Sequence, residues 1–187
     1  MPERAILDWI GPDDQIQARI YSRWAPPAQQ LPALADFLAD HTATGTEPPT
    51  LDHYRAWTHD HGPHLITAIV APGTPERTAT VDYRYRVRLH PLQITARTRT
   101  GTDWATTAQA DSPATLYAHA AQLLAEQAAR VRTLTHSQPR PPYAAHLADP
   151  AALAAAASRH EVNAAAAGWW PDDPAPLHRV DHPTRQP

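Results

Sequence analysis

From Val81 to Arg99 the chain reads VDYRYRVRLHPLQITARTR, with apolar and polar residues alternating almost without a break. Successive side chains of a strand point to opposite faces, so the pattern predicts two half-buried strands, over 78–89 and 92–100. His90-Pro91 falls at the turn between them. Residues 15–24 alternate in the same way, Ile16, Ala18 and Ile20 against Gln17, Arg19, Tyr21 and Arg23. The stretch HLITAIVAPG (64–73) is apolar at consecutive positions, which predicts a central strand buried on both faces. AILDWI, near the start, fits either a short strand or one helical turn.

Helical spacing takes over elsewhere. Leu31, Leu34, Ala35 and Leu38 recur along one face after the Pro26-Pro27 break, with Pro32 admissible in a first turn. Thr50 is placed to cap a short helix carrying Leu51, Tyr54 and Trp57 inward, and HGPH stops it. Asp111-Ser112-Pro113 opens a longer helix whose stripe is Leu116, Ala120, Leu123, Leu124 and Val131. Asp149-Pro150 opens an Ala-rich helix with Gly168 as its natural stop.

The order β-α-α-β-β-β-α-α predicts an α+β fold in two layers. About four strands form a mostly antiparallel sheet, helices cover one face, and the C-terminal tail is irregular. Residues 1–136 read as the core domain. Residues 137–187 read as a Pro-rich linker, the Ala-rich helix and the tail, either packed on the core or disordered.

Composition adds charge to this pattern. The chain has 187 residues, no Cys, 21 Pro against 6 Gly, and a formal charge of −3. All sixteen basic side chains are Arg; with the abundant Ala and Pro, this points to a high-GC bacterium or its mobile element. Between Arg77 and Arg99 stand six Arg and one acid, Asp82, a local +5 that leaves −8 for the rest of the chain. The absence of Cys excludes disulfides, thiolate catalysis and Cys-based zinc sites. No basic leader and no stretch of membrane-spanning length is apparent, so a soluble cytoplasmic protein without membrane contact is expected.

The candidate chemistry lies on the strands. Arg84, Arg86 and Arg88 share one side of their strand, and Arg97 and Arg99 can lie on the same side of its partner, with Arg19 and Arg23 extending the row. A solvated sheet face has to be polar in any case. Like charges side by side nevertheless cost about 0.2–1 kcal/mol per pair, so the row calls for an anionic counterpart. One source is another molecule, whether protein, nucleotide or nucleic acid. The other is internal: Trp169, Trp170, Asp172 and Asp173 of the tail supply indoles to stack on guanidinium planes and carboxylates to pair with them. Tyr83 and Tyr85 fall on the opposite, core side.

A second candidate is HYRAWTHDHGPH, in which His59, His61 and His64 are metal-type ligands at a spacing that matches no established motif. There is no G-x-S-x-G, no P-loop and no G-x-G-x-x-G, and RHEVN lacks a second His. The expectation is a non-catalytic binding or accessory protein, without cofactor, that meets an anionic partner or its own acidic tail through the arginine face. The alternatives are a nucleic-acid or nucleotide binder using that face, and a small metal-dependent hydrolase built on the His53–His64 cluster. Open sheet edges and the Ala-rich helix also suit self-association.

Overall fold

The computed structural model describes residues 4–23, 25–44, 49–61, 66, 68–71, 81–137 and 150–166. The class is α+β, as the periodicity predicts, but the sheet is larger and mixed. Six strands, β1 (Arg4–Ile10), β2 (Ile16–Arg23), β3 (Ala68–Val70), β4 (Tyr83–Leu89), β5 (Leu92–Thr100) and β6 (Asp103–Ala110), lie in the order β3-β2-β1-β4-β5-β6. Every neighbouring pair is antiparallel except β1 and β4, which run parallel at the centre.

Three expectations are corrected. AILDWI belongs to a full strand, β1, and it is this strand that is buried nearly throughout. The described residues of the 64–73 segment supply the three-residue β3, at the sheet edge and partly exposed. Its apolar run marks a strand, but the central place is taken by the β1–β4 pair, whose partners are almost eighty residues apart in the chain. The third correction is β6, DWATTAQA, whose small Thr and Ala residues give little alternation signal. Pairing makes it a strand, through the tight Thr100–Asp103 turn. Within that turn Gly101 takes the left-handed φ of 67 that a residue without Cβ adopts freely.

Four helices, α1 (Pro27–Thr44), α2 (Leu51–His61), α3 (Pro113–Ser137) and α4 (Pro150–Ala166), complete the described chain. Their starts follow the capping residues. The His53 N–H donates to Thr50 Oγ1 while the Thr50 N–H donates to His53 Nδ1, a reciprocal cap with His in the third helical position. The Thr115 N–H donates to Ser112 Oγ at the head of α3. Because α1 begins as early as Pro27, Pro32 sits in its second turn rather than its first.

Leu7 and Trp9 of β1, Tyr85 and Val87 of β4, and Ile94 of β5 face Leu34, Phe37 and Leu38 of α1, Tyr54 of α2 and Leu116 of α3. Burying a large apolar side chain contributes about 1.5–3 kcal/mol, so this cluster holds the two layers together. Trp9 stacks on Tyr54 at 5.6 Å. Phe37 meets Tyr54 edge-on at 5.2 Å, the tilted geometry that aromatic quadrupoles favour. Two buried hydrogen bonds tie elements together, offsetting the desolvation of their polar groups. Gln30 Nε2 donates to the Tyr54 hydroxyl at 2.9 Å. The Tyr85 hydroxyl donates to the Ala25 carbonyl at 2.7 Å. A smaller cluster joins Leu153 and Ala157 of α4 to Leu124, Ala128 and Val131 of α3. The linker and the tail lie outside the described residues.

Candidate anion-binding site

Alternation along β4 sends Tyr85, Val87 and Leu89 into the core and turns Arg84, Arg86 and Arg88 to the face that none of the described helices covers. Register then fixes their neighbours. On β5, Arg97 stands opposite Arg84, Thr95 opposite Arg86 and Gln93 opposite Arg88. On β1, the residues in register with these three arginines are Ile6, Asp8 and Ile10, and Arg19 of β2 stands opposite Asp8. Arg99 and Trp104 face each other at the β5–β6 end. The structure thus brings Arg19, Arg84, Arg86, Arg88, Arg97 and Arg99 onto one surface, with Arg4 extending it along β1. Arg23 ends β2 opposite Arg4, and its side chain lies outside the described residues.

The face contains carboxylates that periodicity alone did not pick out. Asp8 binds Arg19 through two bonds, Nε to Oδ1 at 2.6 Å and Nη2 to Oδ2 at 3.2 Å. Their side chains are only 15% (Arg19) and 14% (Asp8) exposed. This bidentate pair is therefore a partly dry one, with both charge and fork geometry in its favour. Hydrogen bonding to Asp8 holds the Arg19 guanidinium above its ordinary pKa. Arg84 shifts the opposite way: burial first, then the charges of Arg19 and Arg97, lower its pKa against the pull of Asp8. Its guanidinium lies over the Trp104 ring, 4.8 Å from the centroid, where the π face offsets part of the charge.

The third carboxylate comes from the turn between β1 and β2. Gly11 and Gln15 close this turn with a 2.8 Å backbone bond. Asp14 there adopts a positive φ of 62. That left-handed conformation, tolerated by Asp better than by most residues, carries its side chain over the sheet. There it pairs with Arg88 and lies 3.7 Å from Arg86. Ile10, Asp14, Arg86, Arg88, Gln93 and Thr95 line a shallow cleft of about 180 Å³ at this point. Asp82, in the same alternation as the arginines, accepts the Arg4 backbone N–H at 3.2 Å.

Among the described residues, seven arginines share the face with three carboxylates, Asp8, Asp14 and Asp82, and Arg97 is exposed and makes no ion pair there. Ile6 and Ile10 lie on this side of β1, yet are only 1% and 5% exposed. They are in register with Arg84 and Arg88, whose methylene stems can lie over apolar neighbours while the charged ends stay wet.

Trp169, Trp170, Asp172 and Asp173 lie outside the described residues, as does His64. His59 and His61 end α2, both exposed; His59 Nδ1 is 2.9 Å from Asp60 Oδ1 and His61 stacks on Trp57. Among the described residues no group of three or more metal-type side chains is placed to hold an ion. Nor is any described helix long and apolar enough to cross a membrane. Sequence reasoning did not place Arg4, Asp8, Asp14 or Trp104 on this face. Asp8 sits at an alternate position of AILDWI, a signal that assigning this segment as a strand would have exposed.

Comparison of the chain with protein-family models, with curated proteins and with solved structures found no match.

Proposed function

We propose that the protein is a non-catalytic binding protein whose helix-free sheet face receives an anionic partner. The observation that carries this reading is the surplus of guanidinium groups over carboxylates on one flat surface, with a cleft at Arg86 and Arg88. The functional groups lining that cleft are two guanidiniums, an amide, a hydroxyl and the carboxylate of Asp14, a set suited to holding an oxyanion by charge and hydrogen bonds. Asp14 occupies the position that a partner's carboxylate or phosphate takes when it binds. The acidic C-terminal tail is a second source of the same groups.

The test is binding of a fluorescent Glu-rich peptide and of a single-stranded oligonucleotide, at about 50 and about 200 mM salt. Binding that falls with salt, and weakens roughly tenfold in an Arg86→Gln, Arg97→Gln double variant, is the expected result. No binding of either probe, or equal binding by the double variant, defeats the reading. Trp104, half-buried on the same face, favours one specific alternative, a single-stranded nucleic acid stacking a base there. Preference for the oligonucleotide that disappears in Trp104→Ala selects it.

A further inference from the structure

The helical side of the molecule carries a second and larger concavity, a groove of about 610 Å³ running along α1 between α2 and α4. Pro32, Asp36 and Asp40 of α1 form its floor, Trp57 and His61 of α2 one wall, and His160 of α4 the other. Spacing of i, i+4 sets the two carboxylates one helical turn apart on the same face.

Each side chain here is oriented by a neighbour. The Tyr117 hydroxyl donates to Asp36 Oδ1 at 2.5 Å, and the Trp57 indole N–H donates to Asp40 Oδ2 at 2.8 Å. Trp57 and His61 stack face to face, 4.7 Å apart and within 6° of parallel, a parallel aromatic pair on this side of the groove. The His61 Nδ1 lies 2.9 Å from the Trp57 carbonyl oxygen. A carbonyl only accepts, so Nδ1 must be the donor, which leaves Nε2 of the neutral ring as an acceptor. His160 stacks on Tyr117, and its Nδ1 is buried with no hydrogen-bond partner among the described residues. Burial lowers the His160 pKa, and burial with Asp36 raises that of Tyr117, so both rings are neutral near pH 7. Asp36 thus accepts from a neutral hydroxyl beside an uncharged histidine, and no cationic side chain pairs with it among the described residues.

A carboxylate with no cationic partner among the described residues and a parallel aromatic pair, both lining one groove, match a single kind of ligand. We infer that this groove binds a guanidinium group carried on an aliphatic stem. The guanidinium lies against Trp57 and His61, its N–H groups bond Asp36 and Asp40, and the stem runs along the apolar floor toward Pro32. The basic sheet face plays no part in this site, so the inference is independent of the proposed anion binding.

The test uses the full-length chain and follows the Trp57 indole N–H resonance, assigned by its loss in Trp57→Phe. Agmatine and a blocked Gly-Arg-Gly tripeptide are titrated separately, with N-butylurea as the uncharged planar control. Both guanidinium probes are expected to shift the resonance saturably and the urea is not; the tighter of the two shows whether the natural ligand is a free small molecule or an arginine side chain. Asp36→Asn should weaken binding roughly tenfold. Ala33→Trp, which fills the groove without touching the carboxylates, should abolish it, with unchanged circular dichroism confirming the fold. Equal shifts by N-butylurea, undiminished binding by Ala33→Trp, or no saturable shift with either guanidinium probe overturns the inference.

Discussion

The open sheet face and the helical groove handle charge in opposite ways. Among the described residues of the sheet face, guanidiniums outnumber carboxylates, and two of the three carboxylates are drawn into ion pairs, Asp8 with Arg19 and Asp14 with Arg88 and Arg86. In the groove, the hydrogen bond that Asp36 accepts among the described residues comes from a neutral hydroxyl, and burial keeps its histidine neighbour uncharged. The difference follows from architecture. A strand repeats every two residues, so one short segment projects a row of like charges that neighbouring strands must answer. A groove among helices collects its residues from several elements, here two carboxylates of α1 with rings from α2 and α4. The first arrangement makes a broad surface and the second a discrete site.

The contrast breaks most visibly at Asp8. Asp8→Ala leaves the mostly buried Arg19 without its bidentate partner, and should destabilise the fold by about 2 kcal/mol. Asp52→Ala removes the exposed Asp52–Arg55 pair on α2. That change should alter stability by less than about 0.5 kcal/mol. Urea midpoints of the two variants check both values; equal effects would mean the sheet-face pair is no drier than an ordinary surface pair.

Next in size is Tyr54→Phe, which strands the buried Gln30 amide beneath α2. An unsatisfied buried donor of this kind should cost about 1.5 kcal/mol. Gln30→Leu combined with Tyr54→Phe should recover most of that loss, because an apolar pair leaves nothing unsatisfied. A double variant weaker than both singles would show that packing, and not the hydrogen bond, sets the value.

Asp14→Asn sharpens the sheet side of the comparison. Removing the internal counter-ion from Arg86 and Arg88 should raise affinity for the Glu-rich peptide several-fold, by about 0.5–1 kcal/mol, with little change in stability. Weaker binding would instead make Asp14 a group that helps to hold the ligand.

The smallest expected effect is a pH slope on the helical side. The His160 pKa is lowered in the folded protein from its ordinary value of 6.5. Between the folded-state value and about pH 6.5 the unfolded chain binds a proton that the native chain does not. The contribution of neutral His160 is complete above about pH 6.5, and is lost as pH falls toward the folded-state value. Urea midpoints of His160→Gln should therefore fall less steeply than those of the parent between about pH 7.5 and about pH 5.5. Parallel slopes would remove His160 from the account.

Local pattern carried much of this structure. The alternation of 83–89 and 92–100 placed Arg84, Arg86, Arg88, Arg97 and Arg99 opposite Tyr85, Val87 and Ile94, and the helix starts at Thr50 and Ser112 followed from their capping chemistry. Those are short-range effects: side-chain direction repeats every two residues in a strand, and a cap acts within one helical turn. The parallel pairing of β1 with β4 is of another kind. It joins segments almost eighty residues apart, and no feature within either segment specifies that partner. That pairing sets Asp8 in register with Arg86 and places the Asp14 turn over Arg88, so part of the answer to the arginine row's charge comes from within the same sheet and its turn. The groove likewise exists only where α1, α2 and α4 meet, because its chemistry is made of distances between elements. On β4 and β5 the sequence by itself determined which residues face water and which face the core; tertiary structure decided which charges meet, since electrostatic pairing depends on separation in space and not along the chain.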